Sequence, residues 1–327
     1  MWKKPHDFLR QAVWIRSVEK HKSCLSVPLP SKYTAFHRHC QKSYNAQNDD
    51  FGESGSKDQE TQSLKSEFDH KGFVISRAVS TEDLANSMFR KITSLQNSSV
   101  MWNADGSFIE TEKSHAYGVF PEVELILKGI CGQLLSAIYQ SHFKVFFVRL
   151  YKQQRLFAEP EGSQIWHHDT CPGTCIKVLF FLNDVGPDNG GTELIPWNPT
   201  LQFLKKEWSF NNNIKSDTTK PLTKEEIRIR RGEWYSSHID RYYSHYKEQV
   251  TGPPGTFLLF RPEVLHKGGF PKKDHCRYML MFSIYPSDVP TPYDHYRRYG
   301  VPKRSGFPKD PKQIWPVENE LENRAAR

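Results

Sequence analysis

Trp166-His167-His168-Asp169 is the stretch of this 327-residue chain that says most about its fold. On a β-strand successive side chains point to opposite faces, so His167 and Asp169 share one face and His168 points to the other. Two imidazoles and one carboxylate on one face of an octahedral metal leave the remaining positions open. The segment therefore predicts a strand end that carries two of the three ligands of an open-sided iron(II) site, as in an oxygenase.

The third ligand has to come from a distant strand that folds back beside the first. His266 is the strongest candidate, because it follows the apolar run 256–260, which a turn at Gly255 introduces. Eleven residues further on, Arg277 opens an alternating strand and projects into the interior. A buried guanidinium needs an anion, and its planar fork suits a carboxylate. A histidine followed by an arginine at this spacing predicts a 2-oxoglutarate site.

Helical patterns come first along the chain, and short β-runs separated by Gly- and Pro-rich turns follow after Phe143. One helix is expected from Ser80 or Thr81 onward, and a second over 121–140. The predicted strands are Val145–Tyr151, Gln164–His167, Ile176–Leu182, Thr192–Ile195, Thr256–Phe260 and Arg277–Tyr285. This order predicts a mainly β chain with helical padding (α+β) around a double-stranded β-helix of the jelly-roll or cupin type.

The composition divides the chain into three parts. Residues 1–65 are rich in polar residues and predict a partly disordered N-terminal extension, residues 66–286 form the predicted oxygenase domain, and residues 287–327 form a C-terminal tail. Within the domain, residues 197–252 are polar and aromatic, with one predicted helix near 223–230. Such an insertion predicts a lid or a substrate wall, although its aromatic residues would equally suit a small core of its own.

The net charge of +8 is concentrated at the two ends of the chain. Residues 1–65 hold 11 Lys and Arg against 7 Asp and Glu, and residues 286–327 hold 8 against 6. Because a nucleic-acid groove would concentrate positive charge in the folded core, a nucleic-acid partner is not expected. The expected partner is a small-molecule substrate, and the sequence does not determine the oligomeric state.

The spacing of the cysteines and the length of the apolar runs favour a cytoplasmic location. Six cysteines are spread without the spacing of a disulfide framework, as is typical of free thiols in a reduced, cytoplasmic compartment. No apolar run reaches the roughly 18 residues that a membrane helix needs. The first thirty residues combine few acids with several Lys, Arg and Ser, which leaves mitochondrial targeting open as an alternative.

Several motifs in a fixed order resemble one family, the phytanoyl-CoA dioxygenase-like branch of the Fe(II)/2-oxoglutarate oxygenases. The resemblance extends from about Phe68 to Pro286. The matching segments are Trp166-His-His-Asp169, Ile176-Lys-Val-Leu-Phe-Phe-Leu-Asn-Asp-Val185, Asn189-Gly-Gly-Thr-Glu-Leu-Ile-Pro196, Thr251-Gly-Pro-Pro-Gly-Thr256, His266-Lys-Gly-Gly269 and Arg277.

The resemblance implies residue roles and a reaction. His167, Asp169 and His266 would bind Fe(II), and Arg277 would hold the distal carboxylate of 2-oxoglutarate. With O2 as the further cosubstrate, the enzyme would hydroxylate or desaturate a small organic metabolite and release succinate and CO2. Related halogenases have a small residue in place of the carboxylate, so Asp169 favours hydroxylation or desaturation. Lys177 faces inward if its strand starts at Ile176 and would then neutralise bound 2-oxoglutarate; a surface lysine is equally compatible with the pattern.

The chain departs from the family after the third segment. Members usually continue with Gly-Ser-His, whereas this chain has Trp197-Asn198-Pro199, so neither the following loop nor a substrate can be inherited from the family. Two other functions remain open at this stage. One is a non-catalytic cupin-like binding protein, and the other is an oxygenase that acts on a protein or nucleic-acid substrate through the basic tails.

Overall fold

Two antiparallel sheets and a set of α-helices make up the described part of the protein. The structure is a computed structural model that describes residues 37–46, 59–77, 81–95, 102–105, 108–111, 122–155, 159–160, 162–169, 175–216 and 223–287. The predictions for residues 1–36 and 288–327 lie outside the described residues.

The helices occupy more of the described residues than the strands do. Their bounds are α1 (37–46), α2 (Gln59–Lys71), α3 (Glu82–Leu95), α4 (Glu122–Lys128), α5 (Ile130–Tyr139), α6 (Trp197–Ser216) and α7 (Lys224–Tyr242). The fold is therefore mixed α/β with antiparallel sheets, and the expectation of a mainly β chain is wrong. The helix expected over 121–140 is two helices, α4 and α5, which are separated at Gly129.

The strands form one large sheet and one small sheet. Their bounds are β1 (Phe73–Ser76), β2 (Trp102–Asp105), β3 (Phe108–Thr111), β4 (His142–Gln154), β5 (Ile176–Phe181), β6 (Glu193–Leu194), β7 (Glu248–Gln249), β8 (Phe257–Phe260), β9 (His266–Lys267) and β10 (Cys276–Ser287). Within the described residues, the large sheet has the strand order β1-β8-β5-β10-β4-β3-β2, and the small sheet has the order β7-β6-β9.

The large sheet is covered on both faces. On one face, Tyr278 of β10 contacts Phe89 of α3, with ring centroids 5.2 Å apart. The opposite face, called the inner face here, carries Arg277, and its guanidinium Nη1 donates to Thr192 beside strand β6 of the small sheet. The alternation expected for β10 is therefore observed, since Tyr278 and Arg277 point to opposite faces. The space between the two sheets is where the candidate site lies.

Part of the expected N-terminal extension is folded onto the domain. Helix α1 packs against α5, because His37 Nε2 lies 2.9 Å from the carbonyl oxygen of Tyr139 and Cys40 is fully buried. Helix α2 begins before residue 66 and buries Phe68 completely. Residues 37–46 and 59–65 of the expected extension are therefore helical. A few well-placed apolar side chains are enough to dock a short helix, even where the average composition is polar.

The insertion that follows β6 forms two long helices, not the single short one expected. Residues 200, 203, 204 and 207 of α6 are buried, at the i, i+3, i+4 and i+7 spacing of one helix face. Helix α7 begins with a capping box, in which Thr223 Oγ1 accepts from the Glu226 N–H and the Glu226 carboxylate accepts from the Thr223 N–H. The ring of Phe203 contacts those of Trp234 and Tyr235 at 5.1 and 4.8 Å, so these aromatic residues form the core of the insertion.

Candidate metal and cosubstrate site

A backbone bridge brings the two histidine segments together. His167 N–H donates to the carbonyl of His266 at 3.0 Å, and His266 N–H donates back to the carbonyl of His167 at 2.9 Å. Asp169 N–H donates to the carbonyl of Pro262 at 2.7 Å. The strand expected over 164–167 is reduced to this isolated bridge. The predicted alternation of side chains still holds, because His167 and Asp169 converge and His168 points elsewhere.

The side chains of His167, Asp169 and His266 converge on one point. Their ligand atoms all lie within 4.8 Å of one another. The rings of His167 and His266 have centroids 4.3 Å apart, and His266 Nε2 lies 3.5 Å from Asp169 Oδ2. Two nitrogens and one carboxylate oxygen on one side of a metal are the donor set of a non-haem iron(II) centre, so the residues present fit that metal.

Both imidazoles are oriented by the backbone. The Nδ1 atom of His167 lies 2.7 Å from the carbonyl oxygen of Ile165, and Nδ1 of His266 lies 2.7 Å from that of Val264. A carbonyl accepts only, so each Nδ1 carries the proton and each Nε2 is left as a lone-pair donor. Fixing the tautomer through the second ring nitrogen is how proteins present histidine to a metal.

The protonation states at the site suit metal binding. Burial, together with the neighbouring His266, lowers the pKa of His167 to about 3, so this imidazole is neutral at pH 7. Burial opposes ionisation of Asp169, but the positive charge of Lys177 outweighs it and holds the pKa of that carboxyl well below its usual range. Neutral imidazole and ionised carboxylate are the forms that coordinate a divalent metal.

Lys177 lies in the site. It projects from β5, its Nζ forms an ion pair with Asp169 Oδ2, and it lies 6.0 Å from the centroid of the Phe260 ring. Its side chain is 15% exposed. The inward orientation that the sequence allowed is therefore observed, and the surface alternative is not.

Arg277 is a buried cation with unused hydrogen-bonding capacity. Arg277 is 1% exposed. Its Nη1 donates to Thr192 Oγ1 at 2.9 Å, and its Nη2 donates to Gln153 Oε1. Within the described residues no carboxylate pairs with it and its Nε has no acceptor. Burial lowers the pKa of Arg277 to about 9. A carboxylate ligand would supply both the missing acceptor and the missing counter-charge, which fits the distal end of 2-oxoglutarate.

Two partners of Arg277 were not anticipated from the sequence. Gln153 is the direct cross-strand partner of Arg277 on β4, and its Nε2 donates to the carbonyl of Gly269 at 2.6 Å. Thr192 precedes β6. Strand register could have identified Gln153, because aligning the alternating residues of β4 with those of β10 places it opposite Arg277.

His168 belongs to a second buried cluster, called the anchor network here, which consists of His168, Glu207, Arg231 and Tyr235. His168 Nε2 lies 3.1 Å from Glu207 Oε2. Arg231 Nη2 donates to Glu207 Oε1 and to the hydroxyl of Tyr235 at 2.7 Å. Burial would raise the pKa of Glu207, but His168 and Arg231 hold it well below its usual range. The network attaches α6 and α7 to the segment that carries His167 and Asp169.

Helix α6 is attached to the other ligand segment as well. Thr200, two turns before Glu207 on the same face of the helix, accepts the N–H of Leu265 at 3.3 Å and donates to the carbonyl of Ile195 at 2.8 Å. Trp197, at the departure from the family pattern, lies 4.5 Å from the guanidinium carbon of Arg261. One helix of the insertion therefore holds both segments that converge at the candidate site.

The fold and the site define the class of protein. Antiparallel sheets that carry two histidines, an aspartate and a buried arginine fit an oxygenase that uses iron and 2-oxoglutarate. The family described as "Phytanoyl-CoA dioxygenase (PhyH)" matches residues 57–273, and this chain belongs to it. The protein is an Fe(II)- and 2-oxoglutarate-dependent dioxygenase, and its cofactor and cosubstrates are Fe(II), 2-oxoglutarate and O2.

Solved structures that are similar to this chain include the following three. The epimerase SnoN in complex with Fe3+, alpha ketoglutarate and nogalamycin RO is 14% identical, with a TM-score of 0.45 over 69% of this chain and 84% of that chain. EctD from S. alaskensis with 2-oxoglutarate and 5-hydroxyectoine is 13% identical, with a TM-score of 0.46 over 78% and 86%. HygX from Streptomyces hygroscopicus with nickel, 2-oxoglutarate and hygromycin B is 13% identical, with a TM-score of 0.44 over 70% and 88%.

Similarity at this level does not assign a substrate. A sequence comparison with curated proteins gives no match. Among the helices of the described residues, none is both long enough and apolar enough to cross a membrane.

Proposed function

We propose that His167, Asp169 and His266 bind Fe(II), that Arg277 holds the distal carboxylate of 2-oxoglutarate, and that the enzyme hydroxylates or desaturates a small organic metabolite. The two sheets would form a double-stranded β-helix around this site. The observation that carries the proposal is the convergence of three ligand atoms within 4.8 Å of one another. Arg277 faces the same space between the sheets and lacks an anionic partner among the described residues.

Each residue has a distinct task in the reaction. His167 and His266 present Nε2 to the metal because their Nδ1 protons are held by backbone carbonyls. Asp169 supplies the negative charge of the ligand set. Arg277 orients 2-oxoglutarate by pairing with its far carboxylate, so the oxo end is directed at the metal. Bound Fe(II) would activate O2. The activated O2 would oxidise both 2-oxoglutarate, to succinate and CO2, and the substrate.

Limited access to the site supports a small substrate. The side chains of Asp169 and His266 are 27% and 7% exposed. A folded macromolecule would have to insert an extended segment to reach these atoms.

A metabolite library assayed for 2-oxoglutarate consumption under Fe(II) and O2 tests the function. The expected result is succinate release stimulated by one compound class, with a product that has gained one oxygen atom or lost two hydrogen atoms by mass spectrometry. Asp169→Ala should abolish this reaction, while Asp188→Ala, which removes an exposed carboxylate from a surface pair with Lys272, should not. Absence of succinate release from wild type with every compound, together with absence of iron binding, would leave a non-catalytic binding protein as the function.

A further inference from the structure

Two polar side chains, Lys177 and Ser283, lie side by side at one end of the inner face. They are direct partners on β5 and β10, and direct partners in antiparallel strands share a face with Cβ atoms about 4.5–5.5 Å apart. Ser283 is 1% exposed, and no group of the described residues forms a hydrogen bond with its Oγ. A buried hydroxyl in this state costs free energy unless a ligand supplies its partner.

This end of the inner face is remote from Arg277. Arg277 and Ser283 are six residues apart on one face of β10, which at about 3.3–3.4 Å per residue separates their Cα atoms by about 20 Å. The positions between them on that face are Met279 and Met281. A five-carbon dicarboxylate that runs from the ligand set toward Arg277 occupies the Arg277 end. The end at Lys177, which borders Asp169, is left for the substrate.

The charges at the site do not balance around a neutral substrate. Asp169 contributes one negative charge, and Lys177 and Arg277 contribute one positive charge each. Bound Fe(II) and 2-oxoglutarate cancel each other, so these three side chains leave one positive charge in excess among the side chains that the structure describes. Other charged groups nearby are neutralised in pairs of their own: Glu207 with Arg231, Glu263 with Arg261, and Glu193 with Lys267. An excess charge in a largely buried site is costly, and one monoanionic group beside Lys177 removes it.

We infer that Lys177 and Ser283 bind a carboxylate of the substrate, so that this dioxygenase acts on a carboxylic acid with an apolar body. The inference rests on the proposed function. The ammonium of Lys177 supplies a compact charge, and the hydroxyl of Ser283 supplies a second donor. A phosphate monoester, with about 1.5 to 2 negative charges, would overcompensate the site. This assigns Lys177 to the substrate, whereas the sequence pattern suggested 2-oxoglutarate.

The apolar body follows from the other side chains of the inner face. The register of β5, β8 and β10 places hydrophobic residues around Lys177 and Ser283, and these residues are Leu179, Leu258, Phe260 and Met281. Such a surface contributes roughly 25 cal/mol for each Å² of apolar ligand area that it removes from water. The subsite therefore combines a charged end with an apolar wall, as an amphiphilic acid requires.

The test uses the full chain loaded with Mn(II), which supports binding without turnover, and isothermal titration calorimetry. 2-Oxoglutarate is titrated first into wild type, Lys177→Met, Ser283→Ala and the control Lys152→Met; Lys152 lies on the opposite face of the same sheet, where its Nζ contacts the Tyr278 ring. Three acids, decanoate, phenylacetate and indole-3-acetate, and their neutral amides are then titrated into each 2-oxoglutarate complex. Lys177→Arg serves as the conservative variant.

The expected result is that 2-oxoglutarate binds all variants alike and that at least one acid binds wild type about 10- to 100-fold more tightly than its amide. Lys177→Met should abolish that preference, Ser283→Ala should weaken it several-fold, and Lys177→Arg and Lys152→Met should retain it. The inference is overturned if no acid binds better than its amide, if the preference survives in Lys177→Met, or if Lys177→Met loses 2-oxoglutarate instead. Absence of 2-oxoglutarate binding to wild type would contradict the proposed function itself.

Discussion

The anchor network and the candidate metal site are buried charged clusters that draw on adjacent residues, and they differ in one respect. In the anchor network, the carboxylate of Glu207 is satisfied by both His168 and Arg231. Around the candidate metal site, Arg277 has no anionic partner among the described residues, and Ser283 has no hydrogen-bond partner there. Buried polar groups that satisfy each other stabilise a fold, whereas buried groups left incomplete are suited to a ligand. His168, which belongs to the anchor network, lies in the chain between His167 and Asp169 of the candidate metal site.

Replacing one histidine of each cluster should give the largest difference between the two clusters. His266→Ala should reduce Fe(II) affinity and 2-oxoglutarate turnover by more than about 100-fold, because it removes a metal ligand and not merely a supporting contact. His168→Ala should retain iron binding within about 10-fold, because His168 bonds to Glu207 and not to a metal ligand, while lowering the free energy of unfolding. Iron titration and urea unfolding of both variants measure the two effects. Equal iron losses in the two variants would remove the distinction between the clusters.

The arginines of the two clusters should behave in opposite ways. Arg277→Met should weaken 2-oxoglutarate binding by about 30-fold or more, since a charge-paired carboxylate contact is lost. In the ligand-free protein it should leave the free energy of unfolding unchanged or raise it, because a buried cation without a counter-charge is removed. Arg231→Met should lower the free energy of unfolding by only about 1–3 kcal/mol, because solvent screens the partly exposed Arg231 side chain. It should have little effect on the binding of 2-oxoglutarate. Calorimetric titration and chemical denaturation provide the readouts, and a destabilised Arg277→Met would contradict the contrast.

Glu207 is the centre of the anchor network. Glu207→Ala should lower the free energy of unfolding by about 3–5 kcal/mol, because it leaves the partners of a buried ion pair uncompensated. Glu207→Gln keeps the size and one acceptor oxygen and should cost less. Glu226→Ala, which removes the exposed N3 carboxylate of the α7 capping box, provides a control with a smaller expected loss. If Glu207→Ala is no worse than that control, the network does not hold the insertion.

The smallest expected effect is a pH dependence. The folded-state pKa of Glu207 is depressed by His168 and Arg231, so its contribution is fully present above its unfolded pKa of about 4.3 and is lost as the pH falls further toward the folded value. The stability difference between wild type and Glu207→Gln should therefore be constant from pH 5 to 8 and shrink below about pH 4. Urea unfolding across this range measures it. A difference that grows on acidification would have the wrong sign.

Short motifs made the ligand set predictable, and long-range pairing limited what else could be read from the sequence. Strand alternation separates His168 from His167 and Asp169, and the spacing of His266 and Arg277 points to a shared site. Whether these residues act as ligands stays a prediction, although the structure brings them together. The pairing of His168 with Glu207 has no local signal, because the two residues are 39 apart in the chain and meet only after folding.

The helices show where composition misleads. The sequence predicted no helix over the residues of α6, and two of the residues on its buried face, Thr200 and Glu207, are polar. Both are buried because they bond to the ligand-carrying segments. Helices α1 and α2 were missed for a similar reason, because single residues such as Cys40 and Phe68 dock them against the domain. Average polarity over a window cannot detect such isolated contacts.

Anaerobic absorption spectroscopy tests the metal and cosubstrate assignment most directly. Fe(II) and 2-oxoglutarate bound together at a single site give a visible metal-to-ligand charge-transfer band, so titrating one into the other reports on both. Wild type and His168→Ala should develop the band, and His266→Ala should not, while Arg277→Met should require a much higher 2-oxoglutarate concentration. A wild-type protein that develops no band, or a His266→Ala variant that develops it unchanged, would contradict the assignment of the incomplete cluster as the iron and 2-oxoglutarate site.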